Sequence, residues 1–229
     1  MNKKTYFGII FWLVTHICLA SDTLFVQVLP KFGDTTLQLE STYTTPSGDT
    51  IVLSALRLYV SGFRLDYADG SHFVEAQSYH LIDVELPKTL RFALPNAPQK
   101  AVMGLHFNLG VDSLMSVSGA IGGDLDPTNG MYWAWQSGYI NLKIEGQSPS
   151  CPTPKHEFRF HLGGYAAPNA AIRPINLRLN EAQSGQITLE FDVSRLFEQI
   201  DLSNINSVMI PGAQAMRLAD EAAKTFTTQ

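Results

Sequence analysis

The sequence predicts an all-β protein, an antiparallel β-sandwich with a short C-terminal helix. Three observations predict it. Apolar residues recur mostly with a period of two, the signature of half-buried strands. The 12 prolines and 17 glycines fall mostly between those runs, where turns are needed. Helical periodicity is confined to two short stretches near the C-terminus. A chain of 229 residues, 45% hydrophobic, is long enough for one sizeable core.

The N-terminal stretch comes first. Lys3 and Lys4 precede the apolar run Phe7 to Val14, and Cys18-Leu19-Ala20 puts small residues just before Ser21. That arrangement reads as a secretory signal peptide over 1–20, and its apolar run is shorter than the ~20 residues a membrane span needs. The chain then matures to one domain over 21–229, periplasmic or extracellular, with no integral span. No lipid-attachment box precedes Cys18, which favours a soluble form. Removing the leader takes the formal net charge from -5 to -7 and leaves Cys151 as the lone cysteine and Trp133 and Trp135 as the tryptophans. An unpaired cysteine in an oxidising compartment fits a buried thiol, an intermolecular bond or a soft metal ligand, the buried thiol being the ordinary case.

The strands follow in order. Leu24 to Leu29 is a first short run, and Thr36 to Tyr43 alternates apolar and polar. Thr50 to Leu65 is a long extended stretch ending at Ala68-Asp69-Gly70, and His72 to Val84 resumes after that hairpin signal. Lys100 to Gly110, Met131 to Glu145, Glu157 to Leu162, Arg173 to Leu179 and Gln186 to Val193 complete the set. Ser194 to Ile200 predicts a short helix capped by Ser194, and Ala213 to Lys224 predicts a C-terminal helix after Pro211-Gly212.

Several function classes are excluded. The acidic balance argues against nucleic acid. The sequence holds no G-x-G-x-x-G, P-loop, H-E-x-x-H, G-x-S-x-G or C-x-x-C-H pattern. With no nucleophile, acid/base or phosphate motif, the chain is expected not to be an enzyme. The stretch Asp124 to Gly130 imitates a calcium loop, but Asn129 stands where an EF-hand needs its glycine and Trp135 where it needs its last carboxylate, so it reads as a polar turn.

Two features carry possible chemistry. In Gly130 to Ile140, strand parity puts Met131, Trp133 and Trp135 on one face and Tyr132 and Gln136 on the other. Aromatic core packing alone would account for such a strand. Of the histidines left after leader removal, His72 and His156 adjoin turn residues and are expected at the surface; His80, His106 and His161 lie within strand candidates. Imidazole suits copper and zinc. No two of these have the short spacing of a helical metal site, so any site must be assembled by the fold, and a lone strand histidine is ordinarily a hydrogen-bonded structural residue.

Six stretches together resemble the MbnP-like family of secreted, copper-associated proteins: Leu56 to Ser61, Tyr79 to Asp83, Phe107 to Asp112, Leu125 to Ile140, Lys143 to Gly146 and Phe160 to Gly164. The specific part is the Asp-Pro-x-x-Gly-Met-Tyr-Trp-x-Trp core; the other stretches are individually weak. The resemblance implies a β-sandwich associated with copper. It also implies a partner, a di-haem protein of the cytochrome c peroxidase type (MbnH-type), that oxidises a tryptophan to kynurenine. The new amino group could then join histidines at copper. Carried over by motif, Trp133 or Trp135 is the candidate for oxidation, and His80 and His161 are candidate ligands. His106 is a third candidate ligand, adjoining a matching stretch at a position the family pattern does not fix. The resulting expectation is a copper-binding protein of copper acquisition or homeostasis. The alternative is a structural or protein-binding β-sandwich without metal.

Overall fold

The computed structural model describes residues 23–119, 121–135 and 138–229. The leader expected over 1–20 lies outside them, as do Ala120, Gln136 and Ser137. The described strands are β1 (Thr23–Phe32), β2 (Thr35–Thr36), β3 (Thr42–Thr44), β4 (Thr50–Tyr67), β5 (His72–Val74), β6 (Tyr79–Asp83), β7 (Arg91–Pro95) and β8 (Val102–Leu109). They continue with β9 (Tyr132–Trp133), β10 (Gly138–Gln147), β11 (Glu157–Gly163), β12 (Arg173–Gln183), β13 (Gln186–Asp192), β14 (Ser207–Val208) and β15 (Phe226–Thr228). The helices are α1 (Ser113–Val117), α2 (Val193–Phe197) and α3 (Ala213–Ala223). Among the described residues no helix is long and apolar enough to cross a membrane.

Period-two patterning builds the sandwich. Along β1, Leu24, Val26 and Val28 are fully buried while Phe25 and Gln27 alternate outward. They belong to a small sheet ordered β15-β13-β1-β2, with β7 also paired to β1. Facing it is a larger sheet ordered β12-β8-β4-β10-β11-β14, with β3, β5 and β6 on β4 and β9 on β10. Leu24, Val26, Ile187 and Leu189 from the small sheet meet Leu56, Leu58, Phe107 and Phe160 from the large one in a single core. Leu196 and Phe197 of α2 and Leu218 and Ala222 of α3 join that core, and Cys151 is buried in it.

The sandwich and its C-terminal helix are as the patterning predicts, but the sheets are mixed rather than antiparallel throughout. β1 pairs with β13 in parallel, and β11 with β14. Both pairs join segments remote in sequence, a placement that no local pattern encodes. The run Thr36 to Tyr43 is broken where Glu40 takes a φ of 61°, and His72 to Val84 is broken where Gln77 takes a φ of 51°. Each is a left-handed turn inside an alternating stretch. Asp192, not Ser194, caps α2: its carboxylate accepts from the Ser194 backbone N–H. Strand β7 is unheralded because a 3-10 turn over Pro87–Leu90 and Pro95 mask it.

The spine of the large sheet is β4, 18 residues long. A strand residue has one neighbour on each edge. Arg57 is flanked by Asp83 of β6 and Lys143 of β10, and Ser61 by Tyr79 of β6 and Asn108 of β8. With β6 holding one edge, β8 and β10 lie end to end along the other. The chain between them, 110–141, leaves the sheet and returns at almost the same point. It departs at Gly110, whose φ is 112° and where a Cβ would lie 2.3 Å from Asn141 Cγ. The Val111 N–H donates to Asn141 Oδ1 at 3.1 Å, tying departure to return.

This excursion covers the outer face of the large sheet. Tyr59 of β4 and Leu81 of β6 project outward and are buried with Val111, Leu125, Met131, Trp133, Tyr139 and Ile140 in a second, smaller core. The Tyr59 hydroxyl donates to the Asp124 carbonyl at 2.8 Å, and Arg57 Nη1 to the Asn129 carbonyl at 3.2 Å.

Candidate functional site around Trp133 and His161

The two tryptophans are neighbours, but not as parity predicts. Only Tyr132 and Trp133 are extended, pairing with Tyr139 and Gly138 of β10. The chain turns at Ala134 and Trp135, so alternation stops there. Met131 and Trp133 are buried together, whereas Trp135 is 64% exposed. The turn nevertheless folds Trp135 back, and the two indoles lie 5.6 Å apart between centroids, tilted by 42°. Gln136, expected on the opposite face, lies outside the described residues.

Trp133 owes its place to Gly163 at the end of β11. A Cβ on Gly163 would lie 2.7 Å from Trp133 Cζ3 and 2.7 Å from the Tyr139 carbonyl oxygen, so the indole needs the bare backbone there. Phe160 and Leu162 of β11 point into the main core. Gly163 and His161 therefore share the outer face, two residues apart along one strand. His161 is thus the sequence-predicted histidine that the fold brings to the buried tryptophan's face.

His161 is buried and paired. Its Nε2 lies 2.6 Å from Glu145 Oε1 on the adjacent strand β10. Lys143 Nζ lies 3.6 Å from the same oxygen. Burial lowers the pKa of His161 against the opposing pull of Glu145, so the imidazole is held neutral. Burial pushes Glu145 up, but the hydrogen bond from His161 and the charge of Lys143 outweigh it and hold the carboxyl below its ordinary value. A neutral imidazole donating to an ionised carboxylate is the result.

The other two candidates lie elsewhere. His80 packs edge-on to Phe63 and stacks on Phe92 at 3.8 Å; Phe63 belongs to the main core and Phe92 packs against it. It is therefore on the opposite face of the sheet from Trp133, with its Nε2 2.9 Å from Glu75 Oε2. His106 is on the outer face but opposite Arg64, seven residues along β4 from the Arg57–Lys143–His161 row. That offset is about 20 Å at strand rise. Both its nitrogens are engaged, Nε2 with Asp66 Oδ2 at 2.8 Å and Nδ1 with Asn176 Oδ1 at 2.6 Å. The three histidines thus do not converge. Among the described residues no three His, Cys, Asp or Glu side chains form a group able to hold a metal ion. His72 and His156 are exposed, as expected from their turns.

Sequence reasoning missed the carboxylates. Each candidate histidine has one on Nε2: Glu75, Asp66 and Glu145. Glu75 and Asp66 lie in or beside strand runs, and Glu145 lies within a stretch that carried the family resemblance. Their partnership depends on strand register, which spacing along the chain does not reveal.

The features define a class: a two-sheet β-sandwich whose outer face carries a tryptophan-bearing excursion and, on the strand under it, a carboxylate-paired histidine. The model of the MbnP family matches residues 21–210, and the chain belongs to that family. Its fold is similar to that of MbnP from Methylosinus trichosporium, with a TM-score of 0.62 and 20% identity over 84% of this chain and 83% of that one. No curated protein sequence matches it.

Proposed function

We propose that the chain is a secreted or periplasmic copper-binding protein of copper acquisition or homeostasis, non-catalytic itself. In this reading Trp133 is the residue that a partner di-haem enzyme oxidises to kynurenine. The observation that carries the reading is the seating of Trp133 over Gly163, next along β11 from His161.

The donor chemistry fits copper in part. His161 offers an imidazole backed by Glu145, the pairing typical of metal-ligating histidines. An indole is a poor ligand, whereas the aromatic amine of kynurenine is a nitrogen donor that copper accepts. His161 and the oxidised Trp133 side chain would hold the metal. The chain's own residues bury the indole, fix the imidazole and keep its carboxylate partner ionised. His106 has no free ring nitrogen and His80 faces the other side of the sheet, so neither enters this site.

The absence of a three-donor group among the described residues favours a second reading, a metal-free binding module. Copper titration of the secreted protein decides between them. One equivalent of copper bound more tightly than micromolar, weakened by His161→Ala and unchanged by His106→Ala, is expected. No such binding in either redox state, with Trp133 oxidised or not, would leave the metal-free module.

A further inference from the structure

We infer that Glu145 fixes the tautomer of His161 and so makes Nδ1 its metal-binding nitrogen; the ligand half of this inference rests on the copper reading above. A carboxylate oxygen only accepts hydrogen bonds, so the ring nitrogen 2.6 Å from Glu145 Oε1 must carry the proton. That nitrogen is Nε2, and the lone pair is left on Nδ1. The side chains are 9% and 29% exposed, so little solvent competes for the bond. Lys143 Nζ lies 3.6 Å from the same carboxylate oxygen. Among the described residues no group is hydrogen-bonded to Nδ1 of His161. The two other candidates supply the contrast. His106 spends both nitrogens on Asp66 and Asn176. His80 is bonded to Glu75 through Nε2 as well, but its ring stacks on Phe92 and meets Phe63 edge-on, on the far face. Glu145 is therefore a positioning residue: it touches no metal and decides which atom of His161 does.

The test is nitrogen–proton NMR on isotope-labelled full-length secreted protein, at a pH where imidazole is neutral. The metal-free wild type is expected to show His161 as the Nε2–H tautomer. Glu145→Gln keeps that tautomer, because the amide oxygen still accepts, and Glu145→Ala loses it. Titration with Cu(I), which is diamagnetic, is expected to move the Nδ1 resonance, and Glu145→Ala to weaken Cu(I) by about 10- to 100-fold. A wild-type His161 protonated on Nδ1 overturns the inference. Stoichiometric Cu(I) binding that moves Nε2, or neither ring nitrogen, overturns the ligand assignment and leaves copper binding standing. Failure to bind Cu(I) at all overturns the copper reading and the ligand assignment with it, while the metal-free spectrum still decides the tautomer.

Discussion

At the scale of single residues, the site depends on a missing side chain. Gly163 lets the Trp133 indole lie directly on β11. Gly163→Ala would press a methyl group against both the indole and the Tyr139 carbonyl, and one of them is backbone that cannot give. The expected cost is about 1–3 kcal/mol, seen as a lower urea midpoint, with a red-shifted tryptophan emission as the ring is pushed toward water. An unchanged emission spectrum would mean that Trp133 does not sit there. Cys151 makes the opposite case, a residue whose chemistry is suppressed. It is 1% exposed, and burial, with Asp49 adding to it, raises its thiol pKa. A disulfide-exchange reagent at neutral pH should label it only as fast as the protein unfolds. Stoichiometric labelling of the native fold would contradict its burial. Of the three open readings of the unpaired cysteine, the structure supports the buried thiol.

At the scale of elements, the excursion between β8 and β10 is the unit that makes the site. It interrupts a single lane of the sheet, and its two ends are locked where Gly110 meets Asn141. Gly110→Ala combines a strained φ of 112° with contact against the Asn141 side chain. It should destabilise by about 2–4 kcal/mol, measured as a shift of the denaturation midpoint at constant slope. A neutral effect would show that the ends are not coupled. Much of this scale was legible in the sequence. The long strand, the Asp69-Gly70 hairpin and the C-terminal helix follow directly from periodicity and turn residues, because those signals are local. The excursion was not legible. Its aromatic run looks like one strand from Met131 to Glu145, and only the pairing of Trp133 with Gly138 shows that the chain doubles back. The same limit applies to the site. Trp133 and His161 were singled out by residue type and motif. That His80 lies on the other face, and that Glu145 partners His161, depends on which strands are neighbours.

At the scale of the whole molecule, the outer core is a store of buried phenols. Tyr59, Tyr139 and Tyr132 pack edge to face, with centroids 5.6 and 5.0 Å apart. Burial, reinforced by neighbouring tyrosines and aspartates, raises the pKa of Tyr59 and Tyr139. Burial and its bond to Asp112 do the same for Tyr79. A phenol whose folded pKa is raised contributes stability that is fully present below its ordinary value near 10.0 and is lost as pH rises through that value toward the folded one. The protein should therefore lose stability above about pH 10, and ultraviolet titration should show these tyrosines ionising late, together with unfolding. Tyr59, Tyr79 and Tyr139 titrating with the other tyrosines as one ordinary set would contradict the second core.

The proposed function requires that Trp133, seated on Gly163, be the tryptophan that is oxidised. Peptide mapping by mass spectrometry of the natively secreted protein tests it most directly. The peptide bearing both tryptophans should be heavier by one oxygen less one carbon, with fragmentation placing the change on Trp133 and Trp135 intact. Two unmodified tryptophans, or a modification confined to Trp135, would contradict it.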